Sequence, residues 1–552
     1  MGTSKKIMHG GQILANALVR QGVDIAFGVP GESFLPLLDG LVDQGNFQFI
    51  TCRQEGGAAY MAEAYAKLTG KPGVVMVTRG PGASNAMVGI HTAYQDSTPM
   101  VLLIGQVGTD MVEREAFQEV DYRRMYSECA KWVGSIDRVD RIDEFVSHAF
   151  HIAQSGRQGP VVLALPEDVL YLEDEEKPTA AAHIVQPGLD RQIFADAMKA
   201  FANAKNPMVL AGGGNWNAAA CDSLKAWAKR ENVPVATSFR WQDLIDNQDS
   251  CYAGDLGIAA NPALVKRIQE ADVLLVIGER LGEMTTAGYS ILTPPQAKNK
   301  LIHVLSSPDE LGRVYRPEFA INCSPENFCA ALTEIKMGPA YDQQQMQAAH
   351  DEYLAWSKPV TVPGDLQLAQ IMASLPNAIP RDAIITNGAG NFATWVHRFY
   401  PYGGFKSQLA PTNGSMGYGL PAAIAAKIAE PNRGVIAVCG DGDFMMNCQE
   451  LATAARYEAY PIVLVVNNSM LGTIRMHQER EFTKRVMGTG LTNPDFVKFA
   501  ESFGMPGYRV SKTEEFAAAF DKALASNKGA LIELVLDPEV ITPTKLLSKL
   551  AK

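Results

Sequence analysis

None of the eight cysteines forms a Cys-x-x-Cys pair; Cys52, Cys129, Cys221, Cys251, Cys323, Cys329, Cys439 and Cys448 are scattered, mostly in apolar runs. That excludes a disulfide scaffold or a cysteine-based zinc site and implies free thiols in a cytoplasmic setting. The nine histidines also lack metal-type spacing, and His148 and His151 read as a surface pair on one helix. Positive charge is short: 49 Lys and Arg stand against 60 Asp and Glu, for a net charge of −11. An acidic surface repels nucleic acid and anionic membranes, so neither is an expected partner. No apolar run approaches the ~20 residues needed to cross a bilayer. The opening MGTSKKIMHGGQILANALVRQG passes straight into an amphipathic helix and lacks the apolar core of a signal peptide.

What the chain does have is length and alternation. At roughly 150 residues per domain, 552 residues imply three to four domains. Strand-like runs alternate with helical segments, which implies α/β domains built on doubly wound parallel sheets. The first domain is expected over 1–175, with strands at 24–28, 47–52, 73–78, 100–105 and 160–165. The polar stretch YLEDEEKPTAAAHIVQPG then reads as a linker. A second, Rossmann-like domain is expected over 187–345, with strands at 208–211, 234–238, 273–277 and 301–305. Its Gly212-Gly213-Gly214 reads as a tight strand–helix turn, with a nucleotide-phosphate cradle as the alternative. A second linker covers about 340–364, and a third domain fills 360–552, with strands at 383–386, 435–439, 462–466 and 530–536. The first and third domains look like two copies of one plan.

The chain is organised around 434–478. Val435 to Cys439 is a buried strand broken by Gly440-Asp441-Gly442; 446–457 has helical spacing; Ile462 to Val466 is a second strand, stopped by Asn467-Asn468. Two parallel strands joined by a helix bring both turns to one carboxyl edge, where α/β folds bind ligands. Asp441 offers an anionic oxygen and Asn468 an amide oxygen, a pair that suits Mg²⁺ once phosphate oxygens join them. Alone, Gly-Asp-Gly is a tight turn; with the second strand and double Asn in place, a metal site is the stronger reading. Glu55, at the start of the helix EGGAAYMAEAYAKLTG, has small neighbours that let another surface approach, and a carboxyl group buried there would have a raised pKa and carry a proton at neutral pH. The alternative is a carboxylate stabilised by the helix dipole.

GDGDFMMNCQELATAARYEAYPIVLVVNN resembles the thiamin-diphosphate fingerprint, in the wording of the acetohydroxyacid (acetolactate) synthase family, and the resemblance runs over nearly the whole chain. It implies thiamin diphosphate and Mg²⁺ as cofactors, with Asp441, Asn468 and Met470 at the metal. Gly440, Gly442, Asp443, Gly472, Ala389, Gly390 and Asn391 would hold the cofactor. Met416 would wedge beneath it, and the Gly414 carbonyl would accept its 4′-amino hydrogen. In RQEGGAAYMAEAYAK, Glu55 would hydrogen-bond N1′ of the pyrimidine and shuttle a proton. Pro81 and Asn85 would lie near the pyrimidine, and Phe117-Gln118 would line the substrate cavity.

Three positions depart from the family. Phe392 replaces a usual histidine at the diphosphate. His477 stands where the synthases carry an acceptor-selecting tryptophan, and with Arg475 it is expected to bind a polar acceptor group. GERLGEMTTAGY lacks their arginine-rich flavin motif, which makes FAD doubtful and leaves an adenine nucleotide or nothing equally open. The resemblance implies a carboligase that joins a decarboxylated, pyruvate-like 2-keto acid to a keto-acid or aldehyde acceptor, working as a homodimer or homotetramer. The alternatives are a decarboxylase, a benzaldehyde-lyase-like C–C lyase, or a non-catalytic regulatory paralogue.

Overall fold

Three sheets, each of six parallel strands, organise the computed structural model, which describes residues 7–338 and 340–550. The chain falls into two compact units. One takes in the described part of Met1–Val185 with Ile424–Pro431 and Asn447–Ala459; the other takes in Gln186–Ala423, Asn432–Met446 and the described part of Tyr460–Lys552.

In the first unit the strand order is Gln48–Thr51, Ile25–Gly28, Gly73–Val77, Met100–Gln106, Pro160–Pro166, Trp132–Ser135. The inner strands are buried along their length, as VVLAL and VLLIG require when helices cover both faces. Helices Gly10–Arg20 and Ile142–Gln154 close part of the core through Leu14, Leu18, Val146 and Phe150. One expectation is corrected here. The acidic run inside the first linker is partly a strand, Glu173–Glu175, paired antiparallel with Ile7–His9.

The second unit carries two sheets. One runs Tyr252–Asp255, Val235–Thr237, Pro207–Ala211, Val273–Ile277, Lys300–Leu305, Phe319–Asn322. Numbered along the chain this is 3-2-1-4-5-6, the order of dinucleotide-binding folds. The other runs Gln408–Leu409, Ile384–Asn387, Val435–Gly440, Ile462–Asn467, Ala530–Val535, Gly507–Val510. Numbered along the chain it is 2-1-3-4-6-5, the same order as the sheet of the first unit. The stretch expected as a second linker contains the helix Gln343–Trp356, held by buried Met346, Ala349 and Tyr353. The helix expected over 446–457 is broken: Asp441–Met445 is already helical, and Leu451–Arg456 follows a 3₁₀ turn at Cys448–Glu450.

In a 2-1-3-4-6-5 sheet the connections leave strands 1 and 3 in opposite directions, so a crevice opens between their carboxyl ends. In the last sheet those ends are Asn387 and Gly440.

Candidate functional site

A cavity of about 270 Å³ lies at that crevice. Ala389, Gly390 and Asn391 line it from the end of the first strand, and Gly440, Asp441, Gly442 and Asp443 from the end of the third. Asn468, Met470 and Gly472 come from the turn after Ile462–Asn467, and Gly414 and Met416 from the loop before helix Gly419–Ala429. Every cofactor- and metal-site residue expected in the third domain therefore meets in one place. Leu536, Val540 and Ile541 complete an apolar wall that the sequence reading did not include.

The glycines keep this space open. A Cβ on Gly440 would stand 2.8 Å from the Phe392 ring, and one on Gly442 would stand 2.9 Å from Leu471 Cδ2. Gly414 takes φ +70°, a backbone state that side chains disfavour. Phe392 packs its ring against Gly390 and Gly440 and is itself buried.

Asp441 is buried, and burial pushes its carboxyl up from the ordinary range, while bonds from Asn493 and the Gly442 and Ser469 N–H groups pull it back. Asn468 Oδ1 accepts from Met470 N at 3.3 Å, which folds the turn tightly. Asn391 is fixed by Thr473, whose Oγ1 donates to its Oδ1 at 2.9 Å. The buried Asp443 Oδ1 accepts from Gly417 N at 2.7 Å and Ala389 N at 3.2 Å, tying two loops of the cavity together; burial pushes this carboxyl up to about 6. Among the described residues no group of three His, Cys, Asp or Glu could hold a metal by itself. A cation here would need oxygens from a bound ligand beside Asp441 and Asn468, which is the donor set Mg²⁺ accepts.

The first unit builds its own cluster at the carboxyl edge of its sheet. Glu55 opens helix Glu55–Thr69, and Gln54 caps that helix by accepting from Gly57 N at 3.0 Å. Glu55 is half-buried, less enclosed than its small neighbours suggested. Its Oε2 accepts from Asn85 Nδ2 at 2.9 Å. Gly82 leaves room for Oε1, since a Cβ there would already be 3.4 Å away. Pro81 begins the helix carrying Asn85, and Gln118, at φ +64°, sets its carbonyl 2.8 Å from where a Cβ on Gly80 would lie. Glu55, Asn85, Pro81 and Gln118 thus gather at the carboxyl edge of the sheet, with Glu55 after strand Gln48–Thr51 and Pro81 after strand Gly73–Val77, the two strands that flank Ile25–Gly28.

Residues 8–125 match the N-terminal TPP binding domain model of thiamine pyrophosphate enzymes, 194–332 the central domain, and 388–534 the C-terminal TPP binding domain. The chain belongs to the thiamine pyrophosphate enzymes. Its relatives there include the acetolactate synthase isozyme 2 large subunit of Escherichia coli, 31% identical over 96% of both chains. A probable acetolactate synthase large subunit of Methanocaldococcus jannaschii is 32% identical over 97% of this chain and 93% of the relative. The mitochondrial acetolactate synthase catalytic subunit of Saccharomyces cerevisiae is 30% identical over 98% and 82%.

One expected site residue of this thiamine pyrophosphate enzyme lies elsewhere. His477 is exposed, with Nδ1 2.9 Å from Arg480 Nη2, and does not line the cavity. Leu471 to Ile474 use up the cavity-facing first turn of helix Gly472–Glu481; His477 is a turn farther out, and Arg475 pairs with Glu479 at 2.8 Å. Conversely, the sequence reading passed over Asn493 and Glu450. Nothing local marks either: one is an Asn in a loop, the other a carboxylate at a helix start.

In the central sheet the Gly212–Gly213 turn and Gly278 press together. A Cβ on Gly213 would stand 2.2 Å from the Gly278 carbonyl oxygen, and Trp216 Nε1 donates to Gly212 O at 2.8 Å. These contacts support the tight-turn reading of the glycine triplet.

Proposed function

We propose that this thiamine pyrophosphate enzyme is an acetolactate synthase-like carboligase. It would use thiamin diphosphate and Mg²⁺ to join the decarboxylated residue of a pyruvate-like 2-keto acid to a second carbonyl compound. The observation that carries this reading is the meeting of Asp441, Asn468, Gly414 and Met416 in one cavity with a polar floor and an apolar wall. Such a cavity fits a ligand with an anionic end and a heterocycle, and the glycines at 440 and 442 leave room for it.

Asp441, Asn468 and Met470 would hold the cation, and Ala389, Gly390 and Asn391 the diphosphate end. Gly414 and Met416, which line the same cavity, would hold the heterocycle. Bound there, the thiazolium supplies the electron sink that lets CO₂ leave. Glu55 would exchange a proton with the pyrimidine of a bound cofactor, and Asn85, which donates to Oε2, fixes its carboxyl plane. Leu471 and Val540 would keep water from the reacting face. The working form is a cytoplasmic homo-oligomer, a dimer or tetramer. Flavin has no part in this reading.

Incubating the purified chain with pyruvate and a panel of keto acids and aldehydes, with products identified by mass, tests the proposal. A 2-hydroxy-3-keto acid product supports it. Release of free aldehyde alone makes the protein a decarboxylase, and cleavage of a 2-hydroxy ketone makes it a lyase.

A further inference from the structure

Strand Gln48–Thr51 is an edge strand of its sheet and runs directly into Glu55. Edge strands present unpaired N–H and C=O groups, and loops beyond them are held by little. Here that edge is covered within the same compact unit by the segment Asn447–Ala459. Thr51 N donates to Tyr457 Oη at 2.7 Å, and the same hydroxyl donates to Phe49 O at 3.1 Å. Just past the strand, the Glu450 carboxylate accepts from Arg53 N at 3.1 Å and from Gln54 N at 3.0 Å. Glu450 is fully buried, and Thr453 Oγ1 donates to its other oxygen at 2.5 Å. Gly57 makes the approach possible, because a Cβ there would stand 2.8 Å from Glu450 Oε1.

Hydrogen bonds between two side chains and the backbone of Phe49, Thr51, Arg53 and Gln54 therefore fix the approach to Glu55. Charge-assisted bonds from backbone N–H to a buried carboxylate are stronger than neutral ones, and a carboxylate left without them is costly. The clamp holds backbone rather than the Glu55 carboxylate, so it sets where that carboxylate sits and leaves its oxygens for Asn85 and the proton.

We propose that Glu450 and Tyr457 are positioning residues for Glu55. This inference rests on the proton role given to Glu55 under Proposed function. It predicts a local loosening and a loss of turnover together, with the cofactor cavity unaffected.

The test uses the full chain carrying Glu450→Gln or Tyr457→Phe, with Glu55→Gln as reference. Amide hydrogen exchange of the cofactor-free protein, read by mass spectrometry, should accelerate about tenfold or more at Arg53 and Gln54 in Glu450→Gln and at Thr51 in Tyr457→Phe, the rest of the chain staying protected. In the protein loaded with thiamin diphosphate and Mg²⁺, kcat should fall about tenfold or more in Glu450→Gln, with KM for pyruvate and cofactor affinity within about threefold of wild type. Unchanged exchange in that peptide, or fast exchange with undiminished kcat, overturns the positioning role. If Glu450→Gln does not fold, Tyr457→Phe, which removes one hydroxyl, decides by the same criteria. A fully active Glu55→Gln would instead overturn the reading of Glu55 itself, whatever the other variants do.

Discussion

Asn493 Nδ2 donates to Asp441 Oδ2 at 2.8 Å and also reaches Asn467 Oδ1 at 3.0 Å. A loop amide thereby holds the carboxylate at the cavity in one orientation through one of its oxygens.

Asp441→Ala removes the only anionic group proposed at the metal. Thiamin diphosphate should then bind about tenfold or more weaker, and adding EDTA should change its affinity no further. Calorimetry with and without chelator measures this, and wild-type affinity in the variant would remove Asp441 from the metal site.

Glu55→Gln preserves the shape of the helix start and can still pair with Asn85, but it carries no exchangeable acid proton. Turnover should fall below about a tenth of wild type with an unchanged thermal midpoint. A smaller loss would leave less than ~1.4 kcal/mol of barrier to Glu55, too little for the role.

Asp243 gives the stability a pH dependence. It is buried beneath the Ser407 and Gln408 N–H groups, both 3.1 Å from Oδ2, and burial pushes its carboxyl up to about 6. Because the folded value lies above the unfolded one, the folded state holds the extra proton. The resulting stability is full below about pH 4 and lost as pH rises through about 6, a span worth ~3 kcal/mol. Asp243→Asn lacks this term, so its thermal midpoint should gain on wild type between about pH 4.5 and about pH 7.5. Parallel curves would show that Asp243 does not titrate in this window.

Gly213→Ala should be a stability variant. At φ +69° the new Cβ would lie 2.2 Å from a backbone oxygen that cannot swing away. A cost of about 2 kcal/mol or more is expected, read as a lowered thermal midpoint. The wild-type protein should purify without the visible absorption of bound flavin. Flavin retained through purification would mean that the glycine turn opens to a ligand.

The strands missed from sequence have one trait in common. Trp132–Ser135, Tyr252–Asp255, Phe319–Asn322, Gln408–Leu409 and Gly507–Val510 are all edge strands. An inner strand such as Val273–Ile277 is buried throughout and reads as an apolar run, whereas Gly507–Val510 and Trp132–Ser135 each bury a single residue. Most of the cavity was legible for the opposite reason: Ala389 to Asn391, Gly440 to Asp443 and Asn468 to Gly472 follow inner strands, and topology brings those ends together. Tertiary partners were not legible. His477 looked like a cavity residue from its offset after Asn468, and only the turns of the helix place it outside. Glu450 was passed over because only its tertiary partners, the Arg53 and Gln54 N–H groups, mark it.

The first compact unit closes only with the segment Asn447–Ala459. During synthesis the strand Gln48–Thr51 leaves the ribosome long before Glu450 and Tyr457 exist, so the nascent N-terminal domain waits with an open β-edge while most of the chain is made. A fragment ending at Val185 would keep that edge permanently and offer it to other copies, as an aggregation-prone piece rather than an autonomous domain. Fusions and truncations that treat the N-terminal third as self-sufficient cut away its cover, and a circular permutant that begins near residue 424 would deliver that cover first.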